Sequence, residues 1–298
     1  MMTIQSFWGQ LVDLLKSRIM VIPLYTFPAL INLLIVSHLS PSLIQVTFTV
    51  LSVSLISYSI YWYNDYTDVE VDAIEEGGNK TDRSSRPLTA GRITKNKVIL
   101  LTVCAASLGL LAAYLINLSV FIVQCTYLII GFLYSTDPIH LKKRLIGKYL
   151  AITTGGVLSC LAGAFVYQIL LPMNIYSIII NAVIYPIGSS LGDIRDIAGD
   201  RKSGARTLPT VIGPELTVRF SIAGFVAVIF AGLLGYIGIG LNVAVPVLTT
   251  ISMVAWIYTV YPITKNWRNS AYVERILFKR VMPSIIFIQM IPLISFFV

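Results

Sequence analysis

The stretch LIQVTFTVLSVSLISYSIYWYNDYTDVEVD, Leu43 to Asp72, changes character at Asn64. From Leu43 to Tyr63 it carries no charge, and an apolar run of about 20 residues is the length a helix needs to cross a hydrocarbon core of ~30 Å. Directly beyond it come Asp65, Asp68 and Asp72, spaced DxxDxxxD. On a helix turning about 100° per residue, positions i, i+3 and i+7 fall within about 60° of one another, so these carboxylates share one face. Asn64 joins Asp68 and Asp72 by i, i+4, i+8 spacing. The pattern recurs in DIRDIAGD, Asp193 to Asp200, directly after the apolar YPIGSSLG. Adding 128 to 65, 68 and 72 gives 193, 196 and 200, so the two motifs superpose without a gap.

The rest of the chain continues the first message. Hydrophobic residues make up 56% of the 298 and charged ones only 12%, which does not fit a soluble globule. Apolar runs of membrane-spanning length occur at about 19–37, 43–63, 97–116, 118–134, 150–170, 174–192, 217–239, 244–262 and 281–298. The connections between them alternate. Those at 38–42, 117, 171–173 and 240–243 carry no Asp, Glu, Lys or Arg, whereas those at 64–96, 135–149, 193–216 and 263–280 are charged. Nine spans therefore put all 22 Lys and Arg on one membrane face, which the positive-inside bias makes cytoplasmic, with the N-terminus inside. The net charge of +8 reads as this orientation signal and not as a nucleic-acid footprint. The expected fold is all-α and polytopic: one domain over 1–298, with pseudo-repeats of four helices at about 15–149 and 150–262 and a ninth helix at 281–298, around a central cavity.

Smaller features fit this frame. The start, MMTIQSFWGQLVDLLKSR, lacks the pattern of a signal peptide and predicts an interfacial amphipathic helix with Trp8, Leu11, Leu14 and Leu15 on one side. Cys104, Cys125 and Cys160 fall in apolar runs without metal-ligand spacing and read as packing residues. Pro23, Pro28, Gly155, Gly156, Pro186 and Gly188 read equally as residues that leave room for a cavity and as ordinary helix-packing residues. His38 and His140 lie in connections and read as solvated.

Carboxylates gain nothing from the orientation bias. Three on one stripe repel, and hard divalent cations with oxygen ligands, Mg²⁺ above all, relieve the repulsion while bridging to substrate phosphates. Glu70 points roughly opposite the stripe and reads as a solvated residue. Cations suited to a diphosphate surround both motifs. They are Lys80, Arg83, Arg86 and Arg92 in the first loop, Arg195, Arg201, Lys202 and Arg206 in the second, and Lys142, Lys143, Arg144 and Lys148 between them. Tyr58, Tyr61, Trp62, Tyr63, Tyr134 and Tyr185 lie near the charged helix ends, as an interfacial belt or as ring faces toward a bound cation.

With these residues in view, the chain closely resembles the UbiA-type intramembrane prenyltransferases over nearly its whole length. The resemblance rests on the nine runs, NDxxDxxxD at Asn64–Asp72, DxxDxxxD at Asp193–Asp200, GDRKSGARTLP at 199–209 and YSTDPIHLKKR at 134–144. It implies Mg²⁺-dependent transfer of a prenyl group from an isoprenyl diphosphate to a lipophilic acceptor in the bilayer, with two ions and no obligate protein partner. Carried over by position, Asn64, Asp68, Asp72, Asp196 and Asp200 match metal ligands, with Asp65 and Asp193 as further acids of the catalytic centre. Arg18, Arg86, Lys142, Lys143, Arg144, Arg201, Arg206 and Tyr134 match substrate-binding positions. The stretch EEGGNKTDRSSR after Asp72 is longer and richer in Gly and charge than the family's usual spacing. Acceptors compatible with the resemblance are a quinone or other aromatic precursor, a chlorophyll-type ring, or a glycerol lipid. A terpene cyclase on the same fold and a non-enzymatic transporter are the rival readings; the latter is disfavoured because no acid or base lies mid-membrane.

Overall fold

The computed structural model describes residues 7–75 and 86–297, and every regular element among them is helical. Lys80 and Arg83 lie outside the described residues, as do the side chains of Glu70 and Asp72. We number the long helices α1 (Phe7–Ser17), α2 (Ile22–Val36), α3 (Leu43–Glu75), α4 (Lys95–Ile116), α5 (Leu118–Ser135), α6 (Leu145–Ala164), α7 (Pro172–Ser203), α8 (Pro214–Ile239), α9 (Ala244–Asn266) and α10 (Ser270–Phe296). Eight of them, α3 to α10, are each long and apolar enough to cross a membrane; α1 and α2, bent by 57° at their junction, add a ninth span if the pair counts as one.

The first run, expected over 19–37, is the helix α2, set off from the interfacial helix α1. Turns at Arg18–Met20 separate the two, and α2 opens with a π-helical turn, Ile22–Thr26, in whose first turn Pro23 needs no N–H partner. On α1 Leu14 is fully buried and packs with Leu11 and Leu15, while Trp8 is 71% exposed, so Trp8 does not share their buried side. Elsewhere the helices outrun their apolar segments. α3 continues through Asn64–Asp72 to Glu75, and α7 through Asp193–Asp200 to Ser203, where Gly204 at φ +72 ends it. Both motifs are therefore helical, as their spacing required. α6 begins inside the stretch read as a loop and stops at Ala164, and α10 begins at Ser270, well before 281, because its first turns are amphipathic.

One buried apolar cluster joins α2 to α6 and includes Tyr185 of α7; a second joins α7 to α10. Buried polar groups stitch the helices where side chains cannot reach water. Asn174 donates to Asn32 Oδ1 at 2.9 Å, and Asn32 donates to Ser177 Oγ at 3.0 Å, tying α2 to α7. Small residues set the closest crossings: a Cβ on Gly163 of α6 would stand 1.8 Å from the Ala29 carbonyl oxygen of α2. By contrast, a Cβ on Gly188 of α7 meets nothing within 4 Å. Gly163→Ala is accordingly expected to force α2 and α6 apart and destabilise the protein by about 1–3 kcal/mol. Gly188→Ala should be neutral or add about 0.5–1 kcal/mol through helix propensity. Thermal unfolding in detergent checks this; equal melting points would refute the assigned α2–α6 crossing.

Candidate active site

α3 and α7 bring their motif ends to one cavity of about 680 Å³, closed on other sides by α2, α5, α6 and α10. Its charged end holds Asn64, Asp68, Asp193, Asp196 and Asp200 together with Arg86, Lys142, Lys143, Lys148 and Lys202. Its other walls are apolar or aromatic: Leu24, Ile60, Ile130, Ile152, Ile184 and Ile285, with Tyr25, Tyr61, Tyr127, Tyr134 and Tyr185. The cavity is amphipathic along its length because α3 and α7 change from apolar to acidic in the span of a few turns.

Each leading carboxylate is neutralised from a different element. Asp65, 3% exposed, lies off the cavity wall; Arg18, at the α1–α2 break, donates to it through Nε at 3.0 Å and through a second guanidinium N–H. Asp193, 8% exposed, accepts from Lys148 at 2.7 Å and from the Tyr149 hydroxyl at 2.8 Å. The following acids face the cavity with lighter partners. Lys142 pairs with Asp68 and reaches Asn64 Oδ1 at 3.3 Å, which also accepts from Ser135 Oγ at 2.7 Å. Arg195 holds its neighbour Asp196 through two N–H groups at 3.1 and 3.2 Å, and Thr207 Oγ1 donates to Asp200 at 3.1 Å.

Of the cations named from sequence, Arg86, Lys142, Lys143, Lys148, Arg195 and Lys202 line the cavity, with Arg86 also 3.9 Å from Asp65. Burial, reinforced by the neighbouring Arg18 charge, pushes the Arg86 guanidinium down to about 10, and burial lowers Lys142 despite Asp68 beside it. Arg86 remains cationic at neutral pH. Arg18 serves Asp65 instead of the cavity, and Arg144, Arg201 and Arg206 are exposed away from its wall, Arg144 donating to the Pro138 carbonyl at 3.1 Å. His140 is not a solvated loop side chain: its Nδ1 stands 2.8 Å from Asp137 and only 12% of the side chain is exposed.

The aromatic candidates divide. Tyr61, Tyr134 and Tyr185 line the cavity; Tyr58 and Trp62 pack with Leu14 and Val21 on the far side of α3, and Tyr63 meets Thr136 at 2.9 Å. Sequence reasoning missed Tyr25 and Tyr127. Tyr25 lies at the centre of the group, with ring centroids 6.0, 5.7 and 5.6 Å from those of Tyr61, Tyr127 and Tyr185. Gly155 and Gly156 make room for it: a Cβ would come to 3.1 Å from the Tyr127 ring and 2.9 Å from Tyr185. That glycine pair was the available signal.

Tyr149 was missed as well. Its hydroxyl donates to Asp193 and accepts from the Leu208 backbone N–H at 2.9 Å, so one group fastens the α7 motif, α6 and the segment after α7. Tyr149→Phe removes both bonds and leaves a part-buried N–H without its partner, at a cost of about 1–3 kcal/mol. Amide hydrogen exchange at 205–211 should quicken and the melting point fall, with Tyr167→Phe, which loses only an exposed bond to Gln45, as the unchanged control. Unaltered exchange at 205–211 would contradict the fastening role.

Comparison with known proteins agrees with this architecture. The UbiA prenyltransferase family matches residues 25–280. Digeranylgeranylglyceryl phosphate synthase of Thermococcus sibiricus is 30% identical over 207 residues, which cover 68% of this chain and 68% of that protein. The bacteriochlorophyll synthase 33 kDa chain of Rhodobacter capsulatus is 27% identical over 164 residues, 53% of this chain and 52% of that one, so the matched stretch spans about half to two thirds of these relatives. Among solved structures, a UbiA homologue from Archaeoglobus fulgidus superposes with a TM-score of 0.73 at 16% identity, covering 97% of this chain and 98% of that one. The same homologue bound to DMAPP and Mg²⁺ gives 0.70 at 18% identity, over 89% and 99%. With two acidic helix ends meeting over one membrane cavity, the chain belongs to the UbiA prenyltransferase family and is a membrane prenyltransferase.

Proposed function

We propose that the chain transfers a prenyl group from an isoprenyl diphosphate to a lipophilic acceptor, with the diphosphate at the charged end of the cavity and the hydrocarbon chain along its tyrosine-lined walls. The observation that carries this reading is the cavity's polarity: both acidic motifs and their cations at one end, apolar and aromatic side chains over the rest. The curated relatives, whose names denote prenylation of a glycerol lipid and of a chlorophyll-type ring, support the reaction class.

The donors at the charged end suit a hard divalent cation. They are amide and carboxylate oxygens, and among the described residues no three of His, Cys, Asp and Glu converge tightly enough to hold an ion alone. That is the habit of Mg²⁺, which is commonly held by one or two carboxylates and completed by substrate phosphates and water. Asn64, Asp68 and Asp72 would hold one ion and Asp196 and Asp200 a second. When bound, Mg²⁺ supplies positive charge against the diphosphate leaving group. Arg86, Lys142, Lys143 and Lys148 add to that charge, so the allylic C–O bond breaks with its electron pair leaving on the diphosphate. The resulting allylic cation faces Tyr61, Tyr134 and the Tyr25 group, whose ring faces stabilise it by about 0.5–2 kcal/mol each. The acceptor's electron pair then forms the new bond to that carbon, and the acceptor loses a proton. Asp65 and Asp193 act by fixing Arg18, Lys148 and Tyr149. The 128-residue offset and the matching positions of the motifs on α3 and α7 support an internal repeat of about 15–149 and 150–262. The concentration of basic residues at the motif end supports its placement on the cytoplasmic side.

Asp68→Ala and Asp196→Ala should each lower turnover of an allylic diphosphate by about 100-fold or more, with the fold retained in detergent. Excess chelator should mimic either, and Asp13→Ala, whose carboxylate pairs with Arg92 at 3.1 Å, should not. Geranyl, farnesyl and geranylgeranyl diphosphates with Mg²⁺ should turn over only once a membrane-lipid extract is added, giving a new prenylated lipid. Full activity in either motif variant, or a discrete cyclic terpene formed without acceptor, would overturn the proposal.

A further inference from the structure

A second cavity, a groove of about 520 Å³, lies between α9 and α10 on a face of α10 that the first does not use. Met282 and Ile285 of α10 line the candidate active site, whereas Tyr272, Ile276 and Arg280, spaced i, i+4, i+8, turn to the groove. Opposite them on α9 stand Val254, Ile257, Tyr258 and Tyr261. The walls are held together below the rim, where the Trp256 indole N–H donates to Ser284 Oγ at 2.6 Å. The groove opens at the motif end of the bundle, since the Arg195 guanidinium of α7 lies 5.3 Å over the ring of Phe278.

Two features separate this groove from an ordinary lipid-facing crease. First, its rim is amphipathic: Tyr258 is 84% exposed and Tyr261 56%, placing phenol groups above an aliphatic floor. Second, the segment 263–280 carries Lys265, Arg268, Arg275, Lys279 and Arg280, all exposed, against the single carboxylate Glu274. Two of these guanidinium groups lie over aromatic rings, Arg268 over Trp267 at 4.9 Å and Arg275 over Tyr272 at 5.7 Å. Stacking engages the guanidinium face and leaves its N–H edge to grip phosphate oxygens. Orientation bias accounts for cations at this end of a membrane protein, but not for Arg280 in the wall of an apolar groove with a tyrosine rim and Arg275 stacked on Tyr272 of that same wall.

We propose that the groove is a binding site for an anionic glycerophospholipid. Its phosphate is held by Arg280 and Arg275, its glycerol lies at the Tyr258–Tyr261 rim, and the first carbons of one acyl chain lie against Val254, Ile257 and Ile276. Its volume lies within the roughly 300–1,000 Å³ range of small-molecule sites and suits a headgroup and the start of one chain. Basic pockets between membrane helices select acidic headgroups by charge. The site is separate from the catalytic cavity, so the proposal stands on the membrane placement of the chain and not on its reaction.

Native mass spectrometry of the purified full chain in detergent tests it, with phosphatidylglycerol and phosphatidylcholine of identical acyl chains titrated in turn. The wild type should retain one phosphatidylglycerol at least about tenfold more tightly than phosphatidylcholine. The Arg275→Gln/Arg280→Gln variant should bring the two lipids to equal affinity. Val254→Trp, which fills the groove without altering charge, should lose the bound lipid too, so a folding failure in one variant leaves the other to decide. Millimolar inorganic phosphate should not displace the lipid. Equal retention of both lipids by the wild type, phosphatidylglycerol binding unchanged in a folded variant, or displacement by phosphate, which would mark a free-anion site, would each overturn the proposal.

Discussion

A carboxylate buried at the end of a membrane-spanning helix needs a cation beside it, and this requirement organises the molecule. Asp65 draws Arg18 inward, which pins the break between α1 and α2 against α3; Asp193 draws Lys148 and Tyr149, which pins α6 against α7. Removing one partner of such a buried pair leaves an uncompensated charge and costs about 3–5 kcal/mol. Satisfying the leading acids in this way settles the rotation of both motif helices. Asp68 on α3 and Asp196 and Asp200 on α7 are then left facing the space between them.

The shape of that space comes from small residues as much as from charged ones. Gly155 and Gly156 let the rings of Tyr127 and Tyr185 settle on α6, and Gly131 admits Ile60 of α3, whose side chain a Cβ would meet within 2.8 Å. The tyrosines form a connected wall, with the Tyr25 and Tyr61 hydroxyls 3.2 Å apart, instead of filling the bundle centre. A cavity long enough for a hydrocarbon chain therefore opens beneath a charged mouth.

Much of this was readable in the sequence where one physical period dominates. Apolar run length located every long helix, and the DxxDxxxD spacing placed three carboxylates on a stripe because a helix has no other way to present them. Hydropathy alone falls short where a helix outlasts its apolar stretch: α3, α7 and α10 each extend about three turns into polar sequence, which the motif spacing showed for α3 and α7 and nothing showed for the amphipathic start of α10. The break at Arg18–Met20 fell where the charged end of the interfacial helix meets the first apolar run, but the Arg18–Asp65 pair did not show, because it joins residues 47 apart. Tyr25, Tyr127 and Tyr149 escaped for the same reason, being ordinary side chains made distinctive only by what the fold brings to them. The cations were overcounted, since a loop arginine near a motif in sequence, such as Arg144, can point away from the cavity mouth.

The central claim is that the two acidic helix ends form one binding site. Calorimetric titration with an unreactive geranyl thiodiphosphate in Mg²⁺ buffer tests it most directly, on the wild type and on Asp68→Asn and Asp196→Asn separately. The account predicts that each substitution, although on a different helix, weakens binding by about tenfold or more, and that removing Mg²⁺ has a comparable effect. Wild-type affinity in either variant would contradict it.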